Sequence, residues 1–221
     1  MTRALSVAET YVPSESAFQA NWDFVRWSLD PDRAALLIHD LQDYFVRGFS
    51  ESAASEILDK AKSLRRAFYA VGAPVALSHQ SGTMTVKERG LMVDFWGDGL
   101  SADEAAWLPS LTPQPSDWLL DKRRYSAFYK TQLLPLLNSS GRDQLAICGV
   151  FGHVGILSTA IDAFSHNIQA FIMADAIGDF SDADHRRTLT QASRTCARVI
   201  STTEALRSWP SNARSYHDTT R

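Results

Sequence analysis

From about residue 34 onward, short apolar runs alternate with segments of helical periodicity. Residues 34–39 (AALLIH) form an apolar run closed by Asp40, the pattern of a strand buried on both faces. Over residues 52–71 the apolar positions Ile57, Leu58, Ala61, Leu64 and Phe68 share one helical face, and Gly72 closes the segment. Further strands are predicted at 74–78, 118–120, 144–150, 170–174 and 199–200, with helices near 154–164 and 185–194. Strands that alternate with helices imply βαβ units, and right-handed crossovers put helices on both faces of the sheet. The pattern predicts an α/β fold, a three-layer α/β/α sandwich around a mostly parallel, six-stranded, Rossmann-like sheet.

A chain of 221 residues fits one large domain, expected over residues 31–208. Residues 1–30 read as a polar arm with aromatic anchors at Tyr11, Phe18, Trp22, Phe24 and Trp27, and residues 209–221 as a polar tail. A net charge of −3 argues against a nucleic-acid partner, which demands a basic face. Cys148 and Cys196 have no framework spacing and read as reduced interior thiols. No apolar stretch approaches ~20 residues and the first residues lack a signal-peptide core, so a cytoplasmic protein without a membrane span is expected.

Ligands of open parallel sheets bind beyond the carboxyl ends of the strands. The polar residues just past the predicted strands are Asp40, Gln80 and Lys122, followed by the turn Phe151-Gly152-His153-Val154-Gly155. Taken singly, each has a bland reading. Asp40 can be a cap, Lys122 a surface lysine, and His153 a group that satisfies backbone at a helix start. His39 is expected on the opposite side of the strand from Asp40, in a structural role. Cys148, within an apolar strand, reads as core. Phe95 and Trp96 in VDFWGDG are either core or the aromatic wall of a pocket. Convergence of Asp40, Gln80, Lys122 and the turn on one rim is what favours a site.

The segments LLIHDLQDYF (36–45), KRRYSAF (122–128), GRDQLAICGVFGHVG (141–155) and ADAIGDFS (174–181) closely resemble the isochorismatase family, over about residues 11–206. The MT-x-x-x-RGL stretch at 84–91 resembles most the phenazine-pathway branch, which acts on 2-amino-2-deoxyisochorismate. The resemblance implies that Asp40 and Lys122 are catalytic. It also implies that Gln80, Arg89, Trp96, Phe45, Phe151, Gly152, His153 and Gly155 surround the substrate. Gly155 stands where the wider cysteine-hydrolase superfamily carries its nucleophile, and without a thiolate there is no covalent route to amide hydrolysis. The implied reaction is instead hydrolysis of an enol-pyruvyl ether. Asp40 protonates the methylene carbon, water adds to the oxocarbenium ion, and the hemiketal collapses to pyruvate and a cyclohexadiene carboxylate.

Neither a metal nor another cofactor is expected; the partners implied are a small substrate with two carboxylates and a second copy of the chain in a homodimer. One carboxylate is expected on the amides of the turn 152–155. Lys122 is expected to pair with a substrate carboxylate and so relieve its pull on Asp40. Three departures from the family pattern stand out: Arg123 replaces the usual Trp, Phe151 the usual Tyr, and His79-Gln80-Ser81 the common Ala-Gln-Pro. The competing readings are a cysteine-hydrolase-type amidase, which needs a cysteine near position 155, and a non-catalytic family member that acts as a pathway scaffold.

Overall fold

The computed structural model describes residues 24–207 and Trp209. The described residues hold six strands: β1 (Ala34–His39), β2 (Val75–Gln80), β3 (Trp118–Lys122), β4 (Gln144–Val150), β5 (Gln169–Gly178) and β6 (Ala197–Ile200). They form one sheet in the order β3-β2-β1-β4-β5-β6, and every pairing is parallel. The helices are α1 (Asp43–Val46), α2 (Glu51–Ala70), α3 (Val86–Arg89), α4 (Met92–Trp96), α5 (Leu133–Ser139), α6 (Leu157–Ser165), α7 (Asp182–Thr195) and α8 (Thr202–Ala205). No helix of the described residues is long and apolar enough to cross a membrane.

Alternation along β1 builds the two cores. Leu36 and Ile38 meet Ile57, Leu64 and Phe68 of α2 on one face. Ala35 and Leu37 meet Leu133, Leu137, Ala160 and Leu189 of α5, α6 and α7 on the other. Both faces of the strands are therefore covered, as the continuous apolar runs require. The expected sandwich is the fold observed.

Several boundaries differ from the sequence pattern for physical reasons. The fifth strand runs on past Ala174 because Asp175, buried, is satisfied inside the protein: its Oδ1 accepts Thr202 N at 2.7 Å and Thr202 Oγ1 at 2.9 Å, with Lys60 Nζ 3.2 Å from Oδ2. The expected helix at 154–164 begins with a π-helical turn, Gly152–Ile156, before α6. Trp209, placed in the tail by its polar surroundings, is buried against Phe68 with ring centroids 4.7 Å apart. Trp27 of the expected arm packs on Phe171. Of the other proposed anchors, Phe24 is exposed, and Tyr11, Phe18 and Trp22 lie outside the described residues, as does the tail beyond Trp209.

The chain runs outward from β1 to β2 and β3, then returns to the other side of β1 with β4. This reversal leaves a cleft beyond the carboxyl ends of β1 and β4, where sheets of this kind bind ligands.

Candidate active site

Strand register assembles the site. His39 lies beside Ser78 of β2 and Gly149 of β4, and Gln80 beside Lys122 of β3. Three strand ends thus deliver polar groups, and the end of β4 an apolar wall, to one cavity with about 600 Å³ of empty space, its mouth included. Asp40, Phe45, Gln80, Arg89, Trp96, Lys122, Phe151 and Gly155 all line it. So do His39, Tyr44, Met92, Tyr125, Val154 and Phe180.

At the floor sits a buried ion pair. Lys122 Nζ is 2.8 Å from Asp40 Oδ2, and both side chains are almost fully buried. Ser78 Oγ donates to Asp40 Oδ1 at 2.6 Å. Burial, the strongest single influence, pushes the Asp40 carboxyl upward. The combined pull of His39, Lys122 and Ser78 outweighs it and takes the group below the ordinary carboxylate range. His39 contributes only when protonated, and burial lowers its own pKa. The Lys122 ion pair at 2.8 Å and the short bond from Ser78 both favour the carboxylate form of Asp40 in the resting site.

Lys122 also donates to the carbonyls of Arg124 at 2.8 Å and Tyr125 at 3.4 Å. With Asp40, these occupy all three ammonium protons. This corrects the expectation that a substrate carboxylate pairs with Lys122, because no donor is left to offer. The available cation is Arg89. Its Nε donates to Gly97 O at 3.0 Å, and among the described residues no carboxylate lies within ion-pairing distance. The guanidinium packs against Gly99, where a Cβ would lie 2.0 Å from Nη1. Burial lowers its pKa and outweighs the opposing attraction of Tyr44 and Asp98.

The turn after β4 also departs from expectation. Gly152 and His153 do not line the cavity. The backbone amide of His153 donates to Asp179 Oδ2 at 2.8 Å, and His153 Nδ1 lies 2.5 Å from Asp179 Oδ1. The amides of Val154, Gly155 and Ile156 all donate to Phe151 O. The protein's own Asp179 carboxylate and the Phe151 carbonyl occupy donors that were expected to hold a substrate carboxylate. Asp179 raises the pKa of His153 through that side-chain bond. Gly152 is needed here because a Cβ would lie 2.5 Å from Asp179 Oδ2. Gly152→Ala is therefore expected to lower stability by about 1–3 kcal/mol, read as a fall in Tm.

His39 does not point away from Asp40 as expected, but lies beside it. The strand ends at His39, and Asp40, at φ 51°, leaves the extended path. Its Oδ2 comes to rest 3.6 Å from His39 Nδ1. The simple alternation rule fails at that one residue. The His39 ring fills the space beside Gly155: a Cβ there would lie 2.2 Å from His39 Cε1 and 2.8 Å from Nε2.

Aromatic rings form the walls. Phe151 stacks on Phe49 at 5.6 Å and meets Phe180 at 4.4 Å, so the residue that replaces Tyr belongs to an apolar cluster. Trp96 Nε1 donates to Tyr125 Oη at 2.8 Å, which settles Trp96 as pocket wall, whereas Phe95 is exposed. Arg123 stays outside the cavity, 2.8 Å from Glu88 Oε1. Gln42, the glutamine of HD-x-Q, clamps the Gln80 backbone at both its N–H (2.8 Å) and its C=O (3.1 Å). Its motif position was visible, but its clamping role required the fold.

Comparison with known proteins agrees with this geometry. The isochorismatase domain profile matches residues 34–204. The chain is 46% identical over 199 residues to the phenazine biosynthesis protein PhzD1 of Pseudomonas aeruginosa, covering 89% of this chain and 96% of that one. It is 40% identical over 186 residues to the isochorismatase of Bacillus subtilis, covering 82% of this chain and 60% of that one. Among solved structures, an isochorismatase family protein from Burkholderia thailandensis superposes with a TM-score of 0.73 at 26% identity, covering 80% of this chain and 95% of that one. The chain is a member of the isochorismatase family.

Proposed function

We propose that the protein hydrolyses the enol-pyruvyl ether of isochorismate or 2-amino-2-deoxyisochorismate, releasing pyruvate, in the biosynthesis of a phenazine, a siderophore or a related secondary metabolite. The observation that carries this reading is the buried Asp40–Lys122 pair beside a glycine at position 155, in a cavity whose free cation is Arg89. Relatives named for phenazine biosynthesis and as isochorismatase support the substrate class.

The reaction needs Asp40 as an acid, whereas the resting site favours the carboxylate. Substrate charge resolves the conflict. Lys122, Arg89 and Asp40 together carry one net positive charge, and isochorismate brings two negative ones. Like charge in a closed aromatic cavity raises the pKa of a carboxyl group, so a proton taken up by Asp40 neutralises the loaded site. The acid then protonates the methylene carbon, and its proton counts among the contributions of positioned general acids. Lys122 and Ser78 hold the carboxyl in place throughout, and Arg89 takes a substrate carboxylate through its planar fork. Gln80 offers an amide to a hydroxyl or carboxylate. Homodimerisation and a cytoplasmic location accompany the reading.

The experiment is pyruvate release from isochorismate and its 2-amino analogue by the purified chain. Turnover of at least one supports the reading, and turnover of neither favours a non-catalytic scaffold. Against an amidase stands Cys148, buried within β4, its thiol pKa pushed upward by burial. Cys148→Ala is expected to keep kcat within about twofold, since the thiol lies in the core and a small volume change leaves the site standing. Abolished activity with intact folding would favour the amidase.

A further inference from the structure

We propose that Gln42 is a positioning residue for substrate recognition. Its buried carboxamide ties the end of β2 to the loop 97–105 and so holds Gln80 and Arg89 in place at the cavity. The proposal rests on the vinyl-ether reading given above, in which those two side chains meet the substrate.

Both donors and the acceptor of the Gln42 side chain are engaged. Its Oε1 accepts the Gln80 N–H at 2.8 Å, and Nε2 donates to Gln80 O at 3.1 Å and to Ala105 O at 2.8 Å. The N–H can only donate and the two carbonyls only accept, which fixes the orientation of the amide. The need for these bonds lies in the sheet. β1 ends at His39, opposite Ser78, and the chain turns away at Asp40, so no residue of β1 faces Gln80. The carboxamide takes the place of the missing peptide unit, with the paired N–H and C=O contacts that one antiparallel residue gives another. Removing it strands backbone groups that have no other partner at the strand end.

The bond to Ala105 carries the effect to Arg89. Ala105 N donates to Ser101 O at 3.0 Å, closing a turn whose preceding residues, Gly99 and Leu100, line the cavity. Glu104 accepts from Ser101 N at 2.9 Å within that turn and pairs with Arg47 outside it. Gly97 O accepts Arg89 Nε at 3.0 Å, and the guanidinium packs against Gly99. A loop held at Ala105 therefore presents both the carbonyl and the surface on which Arg89 rests. Pairing of a planar fork with a carboxylate depends on the direction in which the fork points. Gln42 does not line the cavity, so it acts through these neighbours and not on the substrate. The floor is held separately, because Lys122 and Ser78 engage Asp40 without the Gln42 side chain.

Gln42→Met tests the proposal, because it keeps the length of the side chain and removes its bonds. The Kd for a saturated lactyl-ether analogue of the substrate should weaken by roughly 10–100-fold, the scale of a lost hydrogen bond to a charged group. At saturation kcat should stay within about threefold of the wild type, the signature of lost binding with the chemistry intact. In an Arg89→Met background the same substitution should cost several-fold less affinity, because its main target is already gone. A loss of equal size in both backgrounds, or an unchanged Kd in the folded variant, overturns the proposal. So does a fall in kcat as large as the rise in Kd, which marks general damage to the floor. Should Gln42→Met not fold, Gln42→Asn asks the same question. Its shorter amide leaves a polar group for the buried backbone but cannot bridge Gln80 and Ala105 together, and additive losses with Arg89→Met there overturn the proposal too. If the wild type releases pyruvate from neither substrate, the functional reading fails and this proposal fails with it.

Discussion

Asp40→Asn is expected to slow pyruvate release by about 10²–10⁴-fold in kcat, the range a positioned general acid contributes. Asparagine keeps the shape, and its amide oxygen can accept from Lys122 Nζ or Ser78 Oγ, which now stand 2.8 and 2.6 Å from the two carboxylate oxygens. What it lacks is a proton it can give to carbon. The expected signature is therefore a collapse of kcat with a Kd for the lactyl-ether analogue that changes little. A variant that lost binding and turnover together would instead have lost the architecture of the floor. Steady-state kinetics paired with calorimetric titration separates the two outcomes.

Lys122→Met is expected to have the largest effect on stability. The ammonium group is buried, and it ties Asp40 to the backbone of residues 124 and 125. Removing one member of a buried ion pair strands the other, at a cost of about 3–5 kcal/mol. For a chain of this size that is a fall in Tm of roughly 6–20 °C. The loss should depend on pH in a defined direction. In the wild type the Asp40 carboxyl is held below its ordinary value, so its contribution is present above the unfolded-state pKa and disappears as pH falls through the lower folded-state pKa. In the variant the stranded carboxyl should be raised by burial, and acid should relieve the penalty. The Tm difference between the two proteins should accordingly narrow toward low pH. A difference that stays constant with pH would show that lost packing, rather than lost charge pairing, dominates.

The fold was legible because the strands buried on both faces are written as uninterrupted apolar runs. Residues 34–39 and 144–150 match β1 and β4 at both ends. Asp40, Gln80 and Lys122 could be placed on one rim by the general rule for parallel sheets. Four features escaped for separate reasons. His39 was assigned by alternation, which does not anticipate a positive φ at Asp40. The turn after β4 was read as an open anion site, because its internal occupant, Asp179, is 26 residues away from His153 in sequence. The pairing capacity of Lys122 was misjudged because two of its three acceptors are backbone carbonyls, and those have no signature in side-chain chemistry. Trp209 was lost to its polar neighbours, although a large indole at the start of a polar segment is itself a sign of burial elsewhere.

Charge coupling between ligand and Asp40 is the hinge of the mechanism, and proton uptake on binding measures it. The lactyl-ether analogue, which carries both carboxylates but no double bond to protonate, can be titrated calorimetrically at pH 7 in buffers of different ionisation enthalpy. The wild type should take up about one proton per ligand bound, as like charge drives the carboxyl to its acid form, and Asp40→Asn should take up none. Binding by the wild type without proton uptake would contradict the mechanism, because Asp40 would then enter the reaction with nothing to donate.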